Sequence, residues 1–200
     1  MEKKHLVLAS GSPRRKELLS QLGYEFSVLV TDVEECKHAQ ETAEEYVKRL
    51  SLDKALAALS LLTTNPSEKQ HVASGSDTVV LGSDTVVVSQ GQVLEKPADF
   101  SDSKRMLTQL ANGRHQVMTA VSVVSQEKQK TEIVITDVWF KPLSEKEIEQ
   151  YWQTGEPCDK AGSYGIQGLG GRFVTRIEGS YYAVVGLPLF ETDQLLQEFL

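Results

Sequence analysis

The sequence has little cysteine and no long apolar run. Its two cysteines among 200 residues, Cys36 and Cys158, are in no metal-ligand spacing, so we expect free thiols in a reducing compartment. No apolar segment approaches the roughly 20 residues that a membrane-spanning helix needs. The first ten residues, MEKKHLVLAS, lack the apolar core of a signal peptide. These absences predict a cytoplasmic protein with no membrane partner.

An excess of positive charge is also missing. Lysine and arginine number 21 against 28 aspartates and glutamates, which gives a net charge of −7. General nucleic-acid binding needs a basic surface, so we expect no nucleic-acid partner, and an anionic substrate would need a local basic site. The hydrophobic content of 40% suits a globular chain. No linker-like stretch divides the sequence, which predicts a single domain over residues 1–200.

A strand that turns directly into a helix is predicted at residues 6–22. The apolar run at 6–9 suits a buried strand. Ser12 is a good N-cap and Pro13 occupies the first helical position, where proline is tolerated best. The helix has leucines on one face, and Gly23 is placed to end it. This start of a helix leaves free backbone N–H groups at the positive end of the dipole.

The residues at this turn favour a phosphate-binding site. Ser10 and Ser12 offer hydroxyl donors, and Arg14 and Arg15 add two full charges. The alternative is a surface turn with solvated arginines. Because the dipole disfavours arginine in the first turn of a helix, an anionic ligand explains the pair better.

Acidic residues follow the next predicted strand, at 24–31. Carboxylates at the end of a strand beside a phosphate site are candidate Mg²⁺ ligands, since Mg²⁺ is held by one or two carboxylates and substrate phosphates. Glu34 and Glu35 are both candidates. An ordinary acidic loop explains these residues equally well.

Lys54 lies on the apolar face of a predicted helix. The helix opens at Thr42, which forms a capping box with Glu45. A lysine on a buried face is costly unless it is paired or faces a cleft. It either extends its charge to the surface or meets a phosphate. The predicted apolar face comprises Val47, Leu50, Ala57, Ala58 and Leu61.

The segment GSDTVV occurs twice, at 75–80 and 82–87. The second copy follows an apolar run and leads into a hairpin with Gly91 in its turn. The first copy follows a polar loop. The second copy, with Asp84 and Thr85, is therefore predicted on a buried strand, and the first, with Asp77, in a loop.

The second half of the chain alternates hairpins and helices. A helix is predicted from Ser101, strands at 115–125 and 131–140, and a helix from Ser144, capped with Glu147. His115 is expected to be structural. Further strands are predicted at 172–177 and 181–185, and a final helix at 190–200.

Five glycines fall within residues 162–171. Glycine lets the backbone approach a ligand closely. A flexible loop is the alternative, but the interleaved Tyr164, Ile166 and Gln167 favour a shaped one. The sequence has no P-loop pattern GxxxxGK[ST]. The inventory of basic residues, carboxylates and a glycine-rich loop favours metal-assisted hydrolysis of a phosphoanhydride.

SGSPRR after the first strand, the Asp-Thr pair at 84–85 and the segment DKAGSYGIQG resemble the Maf family of nucleoside triphosphate pyrophosphatases. The similarity is greatest to the subgroup that hydrolyses dTTP and UTP. It implies an α/β, Maf/ITPase-like fold, with two lobes around a long twisted mixed sheet and a central nucleotide cleft. It also implies cleavage between the α and β phosphates, giving the monophosphate and pyrophosphate.

The resemblance also implies roles for residues of this sequence. Asp84 would be the catalytic base or a metal ligand, and Glu35 would help to hold a divalent cation, Mg²⁺ or Mn²⁺. The positions associated with base choice are Arg14, Thr85 and Gln167. The basic residues that would neutralise the triphosphate are Arg14, Arg15, Lys54, Lys96 and Lys160.

Two further expectations follow from the resemblance. The substrate partner would be a nucleoside triphosphate, and the chain could form a homodimer. The family was named for an effect on septum formation, so the alternative function is a nucleotide-binding regulator of cell division without essential turnover. Asp84 separates the two, because binding a polyanion gains nothing from a nearby carboxylate.

Overall fold

Strands and helices are interspersed along the chain. The structure is a computed structural model that describes residues 4–64 and 78–200. Its strands are β1 (His5–Ala9), β2 (Phe26–Val28), β3 (Thr78–Ser89), β4 (Gln92–Leu94), β5 (Arg114–Val124), β6 (Gln129–Phe140) and β7 (Val174–Glu178). The α-helices are α1 (Pro13–Gln21), α2 (Ala43–Thr64), α3 (Phe100–Leu110), α4 (Glu145–Gln153), α5 (Tyr181–Val185) and α6 (Leu189–Phe199). Short 3₁₀ helices span Glu156–Asp159, Ala161–Ser163 and Leu169–Phe173.

The strands form one mixed sheet in the order β2-β1-β3-β5-β6-β7, with β4 paired to β3. Strand β1 runs parallel to both β2 and β3. The pairs β3–β4 and β6–β7 are antiparallel. The predicted α/β class with a mixed sheet is confirmed. The hairpin at Gly91 is confirmed as well, with positive φ angles of 51° at Gln90 and 75° at Gly91.

The chain divides into two compact units. The first unit comprises Met1–Asp84, Thr119–Ile133 and Gly186–Leu200, and the second comprises Thr85–Met118 and Val134–Val185. Each unit is thus assembled from separate segments of the chain. That residues 1–200 act as one domain stays a prediction.

The core of the first unit lies between the parallel strands and α2. Val7 and Val80 pack with Ala55 and Ala58 of the helix. The helix approaches β3 closely at Gly82, where an added Cβ would lie 2.3 Å from the carbonyl oxygen of Ser51 and 2.9 Å from the nitrogen of Ala55. A side chain at this position would force backbone apart, so glycine is what permits this packing.

Aromatic rings pack against one another in the core of the second unit. The ring of Phe140 meets those of Tyr164 and Phe173 at steep angles, and Tyr151 meets Phe173 in the same way. Such edge-to-face pairs add specific geometry to apolar burial. The rings belong to the cluster that also buries the inner face of α3, namely Met106, Leu107 and Leu110.

Three helix starts agree with the predicted caps. The hydroxyl of Ser12 accepts a hydrogen bond from the backbone N–H of Arg15, at 3.4 Å. Thr42 and Glu45 form the reciprocal capping box. Ser144 and Glu147 form another. Local side-chain chemistry was sufficient at these positions, because a cap satisfies backbone N–H groups within three residues.

Other local predictions were wrong. Helix α3 begins at Phe100 and its cap is Asp99, whose carboxylate accepts from the N–H of Asp102, so Ser101 lies inside the helix. The predicted strand at 24–31 is limited to β2, with Val30 64% exposed beyond it. Leu61 is 39% exposed, while Leu62 is buried. The apolar face of α2 therefore runs through Leu62 and not Leu61.

The predicted strand at 181–185 is also wrong. Residues Tyr181–Val185 form the short helix α5. Their aromatic and β-branched composition favours a strand, but the hydroxyl of Ser180 accepts from the N–H of Ala183 and its carbonyl accepts from Val184. Gly179 and Gly186, with φ angles of 126° and 130°, bound this turn. Satisfied backbone groups outweigh side-chain preference here. The strand predicted at 172–177 begins two residues later, at Val174.

Within residues 4–64 and 78–200, no helix is both long enough and apolar enough to span a bilayer. Cys36 and Cys158 are exposed free thiols, as predicted.

Candidate active site

The turn between β1 and α1 is built as predicted, and its hydroxyls fix its shape. Ser10 is buried, and its hydroxyl accepts from the backbone N–H of Ser12 at 3.2 Å. The Ser12 hydroxyl caps the helix. Each accepted bond uses an oxygen lone pair and leaves the hydroxyl hydrogen able to donate. The turn therefore presents two oriented hydroxyls at the positive end of α1.

Arg15 is held by the backbone carbonyl of Gly186. Its Nε donates to that oxygen at 2.8 Å, and the Ser83 hydroxyl donates to the same oxygen at 3.2 Å. The start of α1 is thereby fixed to the strand position that precedes Asp84. Burial lowers the pKa of Arg15 from its ordinary value. The negative charges of Asp84 and Glu35 oppose this shift, and the positive charge of Arg14 adds to it. Both carboxylates thus act electrostatically on Arg15. No sequence pattern marks Gly186, because its role depends on a tertiary contact.

Arg14 differs from Arg15 in the contacts of its guanidinium. In the described parts of the chain, 4–64 and 78–200, it makes no hydrogen bond or ion pair. Its side chain is half-buried in the first turn of α1. A half-buried cation at the positive end of a helix is unfavourable on its own. This combination favours an anionic ligand over a structural role.

Lys54, Asp84 and Glu35 form a cluster of three charges, which we call the Lys54 cluster. The Lys54 Nζ lies 2.6 Å from Oδ1 of Asp84 and 2.6 Å from Oε1 of Glu35. The Lys54 and Asp84 side chains are only 12% and 10% exposed, whereas Glu35 is 40% exposed. Lys54 therefore does not extend to the surface. One ammonium offsets two carboxylates at a nearly buried point, where charges need partners.

The acidic residues that contact Lys54 are Glu35 and Asp84. Glu35 joins Lys54, and Glu34 is exposed on the same loop. Asp84 lies on β3, where all residues but Thr85 are buried. Asp77, in the other copy of the repeated motif, lies outside the described residues. The second copy thus supplies a carboxylate that the structure places beside Lys54 and electrostatically close to Arg15.

The remaining predicted residues lie in the second unit. Thr85 is half-buried on β3, and Lys96 is exposed just after β4. Lys160 donates to the carbonyl of Glu156 at 2.8 Å and to the Asp159 carboxylate at 2.7 Å. Gln167 is exposed in the segment 162–171, which we call the glycine loop. Roles for these four residues stay predictions.

The glycine loop is shaped and is held by two side chains that the sequence reading missed. The Glu156 carboxylate accepts from the Tyr151 hydroxyl at 2.7 Å and from the N–H groups of Leu169 and Gly170 at 2.8 and 3.0 Å. The Tyr151 hydroxyl in turn accepts from the N–H of Gly165, at 3.1 Å. No sequence pattern marks a carboxylate that binds backbone groups 13 and 14 residues away.

His115 packs inside the second unit, as expected of a structural residue. It is 2% exposed, and its Nε2 lies 2.8 Å from the Tyr164 hydroxyl. Burial lowers the pKa of His115 to about 4, against a small opposing effect of Asp137. The ring is therefore neutral at physiological pH, which suits a core residue.

Comparison with known proteins places the chain in a family. The family model described as Maf-like protein matches residues 5–199. A relative from Vibrio parahaemolyticus, named dTTP/UTP pyrophosphatase, is 70% identical over 98% of this chain and 97% of its own length. One from Vibrio cholerae with the same name is 62% identical over 97% of both chains. This chain belongs to the Maf-like protein family, and the resemblance noted in the sequence is confirmed.

A likeness to solved structures is weaker. The Staphylococcus aureus Ham1 protein matches with a TM-score of 0.46 and 16% identity, over 68% of this chain and 72% of that one. At this level the likeness adds nothing to the assignment.

Proposed function

We propose that this chain hydrolyses dTTP and UTP to the nucleoside monophosphate and pyrophosphate. The observation that carries the proposal is the Lys54 cluster, which lies near the start of α1. Its nearly buried carboxylate, Asp84, acts electrostatically on Arg15 of α1, and the N-terminus of this helix offers anion-binding groups. The names of relatives that are 60–70% identical support dTTP and UTP as the substrates.

The basic residues bind the triphosphate. The guanidinium of Arg14 has no partner among residues 4–64 and 78–200, the turn of α1 offers N–H and hydroxyl donors, and Arg15 is held against the Gly186 carbonyl. Phosphate at a helix N-terminus gains from both the dipole and the donors. In the second unit, Lys96 and Lys160 are the further cations that we assign to phosphate, as the family resemblance implies.

Asp84 takes the proton from water in the chemical step. The water oxygen forms a bond to the α phosphorus, and the bond from that phosphorus to the bridging oxygen breaks. The electron pair leaves with pyrophosphate, and the proton of the water passes to the Asp84 carboxylate. Lys54 orients this carboxylate through its 2.6 Å contact. The released charge is stabilised by the arginines at α1.

A divalent cation fits the carboxylates of the Lys54 cluster. In the described part of the chain, no group of three or more His, Cys, Asp or Glu side chains could hold a metal ion by itself. Glu35 and Asp84 do converge on one cation, the Lys54 ammonium, and Mg²⁺ needs only one or two carboxylates when phosphates complete its shell. We propose that these two residues hold Mg²⁺ or Mn²⁺, which would neutralise phosphate charge when bound.

A regulator of cell division without turnover would use the same basic residues. It would give no task to Asp84, because a carboxylate repels a polyanion that is merely bound. The experiment that separates the two functions is pyrophosphate release from the eight common nucleoside triphosphates with Mg²⁺ and with Mn²⁺. We expect release from dTTP and UTP. Tight dTTP binding without pyrophosphate release would contradict hydrolysis and favour the regulator.

Base choice is proposed to depend on Gln167. Thymine and uracil present an acceptor, the N3–H donor and an acceptor, whereas cytosine presents an amino donor and an unprotonated N3. An amide side chain can both donate and accept. Each buried polar group left unmatched costs about 1–3 kcal/mol, or roughly five- to a hundredfold in discrimination. Arg14 and Thr85 are the other residues that we assign to base choice.

A further inference from the structure

Glu156 is the centre of a hydrogen-bond network that the proposed chemistry does not use. The residue begins a 3₁₀ helix directly after Gly155, whose φ is 75°. Oε1 accepts from the Tyr151 hydroxyl and the N–H of Gly170, and Oε2 accepts from the N–H of Leu169. Partial burial raises the pKa of Glu156, but bonds from Gly170, Tyr151 and Leu169, with the charge of Lys160, outweigh burial and lower the pKa below its ordinary value.

The glycines of the loop pack directly on this network. A Cβ at Gly168 would lie 2.3 Å from Oε2 of Glu156, and one at Gly170 would lie 2.6 Å from the Tyr151 hydroxyl. A Cβ at Gly165 would lie 2.7 Å from Cε of Lys160. At each of these distances the new side chain or its neighbour would have to shift, and at Gly170 the neighbours include the backbone oxygen of Gly165, at 2.8 Å. The loop backbone is thus pressed against Glu156, Tyr151 and Lys160, and the glycines serve packing and not flexibility.

Gln167 lies on the turn that this network holds. The N–H of Gly168 donates to the carbonyl of Gly165, at 3.3 Å, which closes a four-residue turn with Gln167 in its third position. The bonds from Tyr151 and Glu156 fix the backbone two residues to either side, at Gly165 and Leu169. Among the residues described, the Gln167 amide itself has no partner, and it is exposed.

We propose that Glu156 is a positioning residue for base recognition: its carboxylate fixes the glycine loop so that the Gln167 amide is presented to the base in one orientation. Discrimination by unmatched polar groups needs a rigid reader, because a loop that can shift will find other partners for the wrong base. Glu156 does not itself touch the substrate. This inference rests on the proposed function, since it concerns selection of dTTP over CTP.

The test compares Glu156→Gln with wild type. Glutamine keeps the size of the side chain but sets an NH₂ donor against a backbone N–H donor, so at least one bond to the loop is lost. We expect the ratio of kcat/KM for dTTP to that for CTP to fall at least fivefold. Hydrogen exchange should become faster for the amides of residues 165–171. Glu149→Gln, an exposed glutamate on α4, is the matched control and should leave the ratio unchanged.

A second variant, Tyr151→Phe, tests the same network in case Glu156→Gln misfolds. Tyr151→Phe removes the bonds to Glu156 and Gly165 while keeping the buried ring, and should lower the same ratio. Equal losses for dTTP and CTP in both variants would overturn the inference, because they would mean a general role in stability or catalysis. An unchanged ratio with faster loop exchange would also overturn it. Failure of the proposed function would give a different result, because wild type would then not hydrolyse dTTP.

Discussion

The ammonium of Lys54 lies 2.6 Å from Oδ1 of Asp84, across 30 residues of sequence. Each side chain is at most 12% exposed. The same ammonium lies 2.6 Å from Glu35. A single cation therefore sits between two carboxylates, at the place where the chemistry of the proposed reaction needs both negative and positive charge. Several predictions depend on this arrangement.

Asp84→Asn should abolish turnover and leave the fold intact. The amide has the size of the carboxylate but cannot accept the proton, and loss of a general base costs about 10²–10⁴-fold in rate. Pyrophosphate release from dTTP measures kcat, and calorimetric titration measures whether nucleotide still binds. Asp77→Asn, in the other copy of the motif, is the matched control and should be nearly silent. The assignment fails if Asp77→Asn inactivates the protein and Asp84→Asn does not.

Lys54→Met should destabilise the protein by about 1–3 kcal/mol, because it leaves the nearly buried Asp84 carboxylate without the counter-charge of Lys54. Urea unfolding measures the loss. The double variant Lys54→Met/Asp84→Asn should lose less than the two single losses added together, since the uncompensated charge is then gone. Lys48→Met, an exposed lysine on the same helix, should change little. Additive losses would show that the two groups do not interact.

Glu35→Gln should weaken Mn²⁺ binding in the presence of dTTP by at least tenfold, while Glu34→Gln should not. Only Glu35 reaches the Lys54 cluster, and a neutral amide is a poorer ligand for a hard cation than a carboxylate. Electron paramagnetic resonance of free Mn²⁺ gives the affinity directly, without reference to activity. A larger effect at Glu34 would reverse the assignment of the metal ligand.

Gln167→Ala should reduce discrimination between dTTP and CTP, by roughly five- to a hundredfold, since one matched pair of polar groups is removed. We expect dTTP and UTP both to remain substrates of wild type, because the 5-methyl group is a weak discriminant. Values of kcat/KM across the eight nucleoside triphosphates measure the effect. The exposed Gln153 provides the control variant, Gln153→Ala. Comparable rates of wild type on CTP or GTP would refute the role of Gln167.

His115 should make the protein less stable as the pH falls from 6.5 towards 4. The folded pKa of His115 is lowered to about 4, so below 6.5 the unfolded chain takes up a proton that the folded chain does not. Between pH 7 and pH 5 this costs about 2 kcal/mol of unfolding free energy. Urea unfolding of His115→Gln should lack this part of the slope. The exposed His38, changed to Gln, should retain it; equal slopes for wild type and His115→Gln would contradict the prediction.

Sequence reasoning succeeded where the information is local. Caps at Ser12, Thr42 and Ser144 satisfy N–H groups three residues away, and the chain adopts them as predicted. Lys54 was identified because a lysine on an apolar face requires an explanation. That the turn at α1 binds phosphate stays a prediction, made from charges placed where the helix dipole disfavours them.

Sequence reasoning failed where contacts between distant parts of the chain determine the structure. The Gly186 carbonyl and the Glu156 carboxylate act on residues that are far away in sequence, and no spacing reveals them. Helix α5 was mistaken for a strand because its side chains prefer one, while the bonds to Ser180 determine the outcome. The roles of Arg14, Thr85 and Gln167 in base choice stay predictions.

Gly82 lacks a Cβ, and this lack is as necessary for the geometry of the Lys54 cluster as the charges are. It takes no part in the proposed chemistry, but any side chain there would push against Ser51 and Ala55, and Lys54 follows Ser51 by about one helical turn. Displacing α2 would carry the ammonium away from Asp84. Substitution of Gly82 is therefore restricted by the ion pair between Lys54 and Asp84, although Gly82 makes no contact in that pair. A residue with no chemical role is as hard to replace as the charged residues themselves.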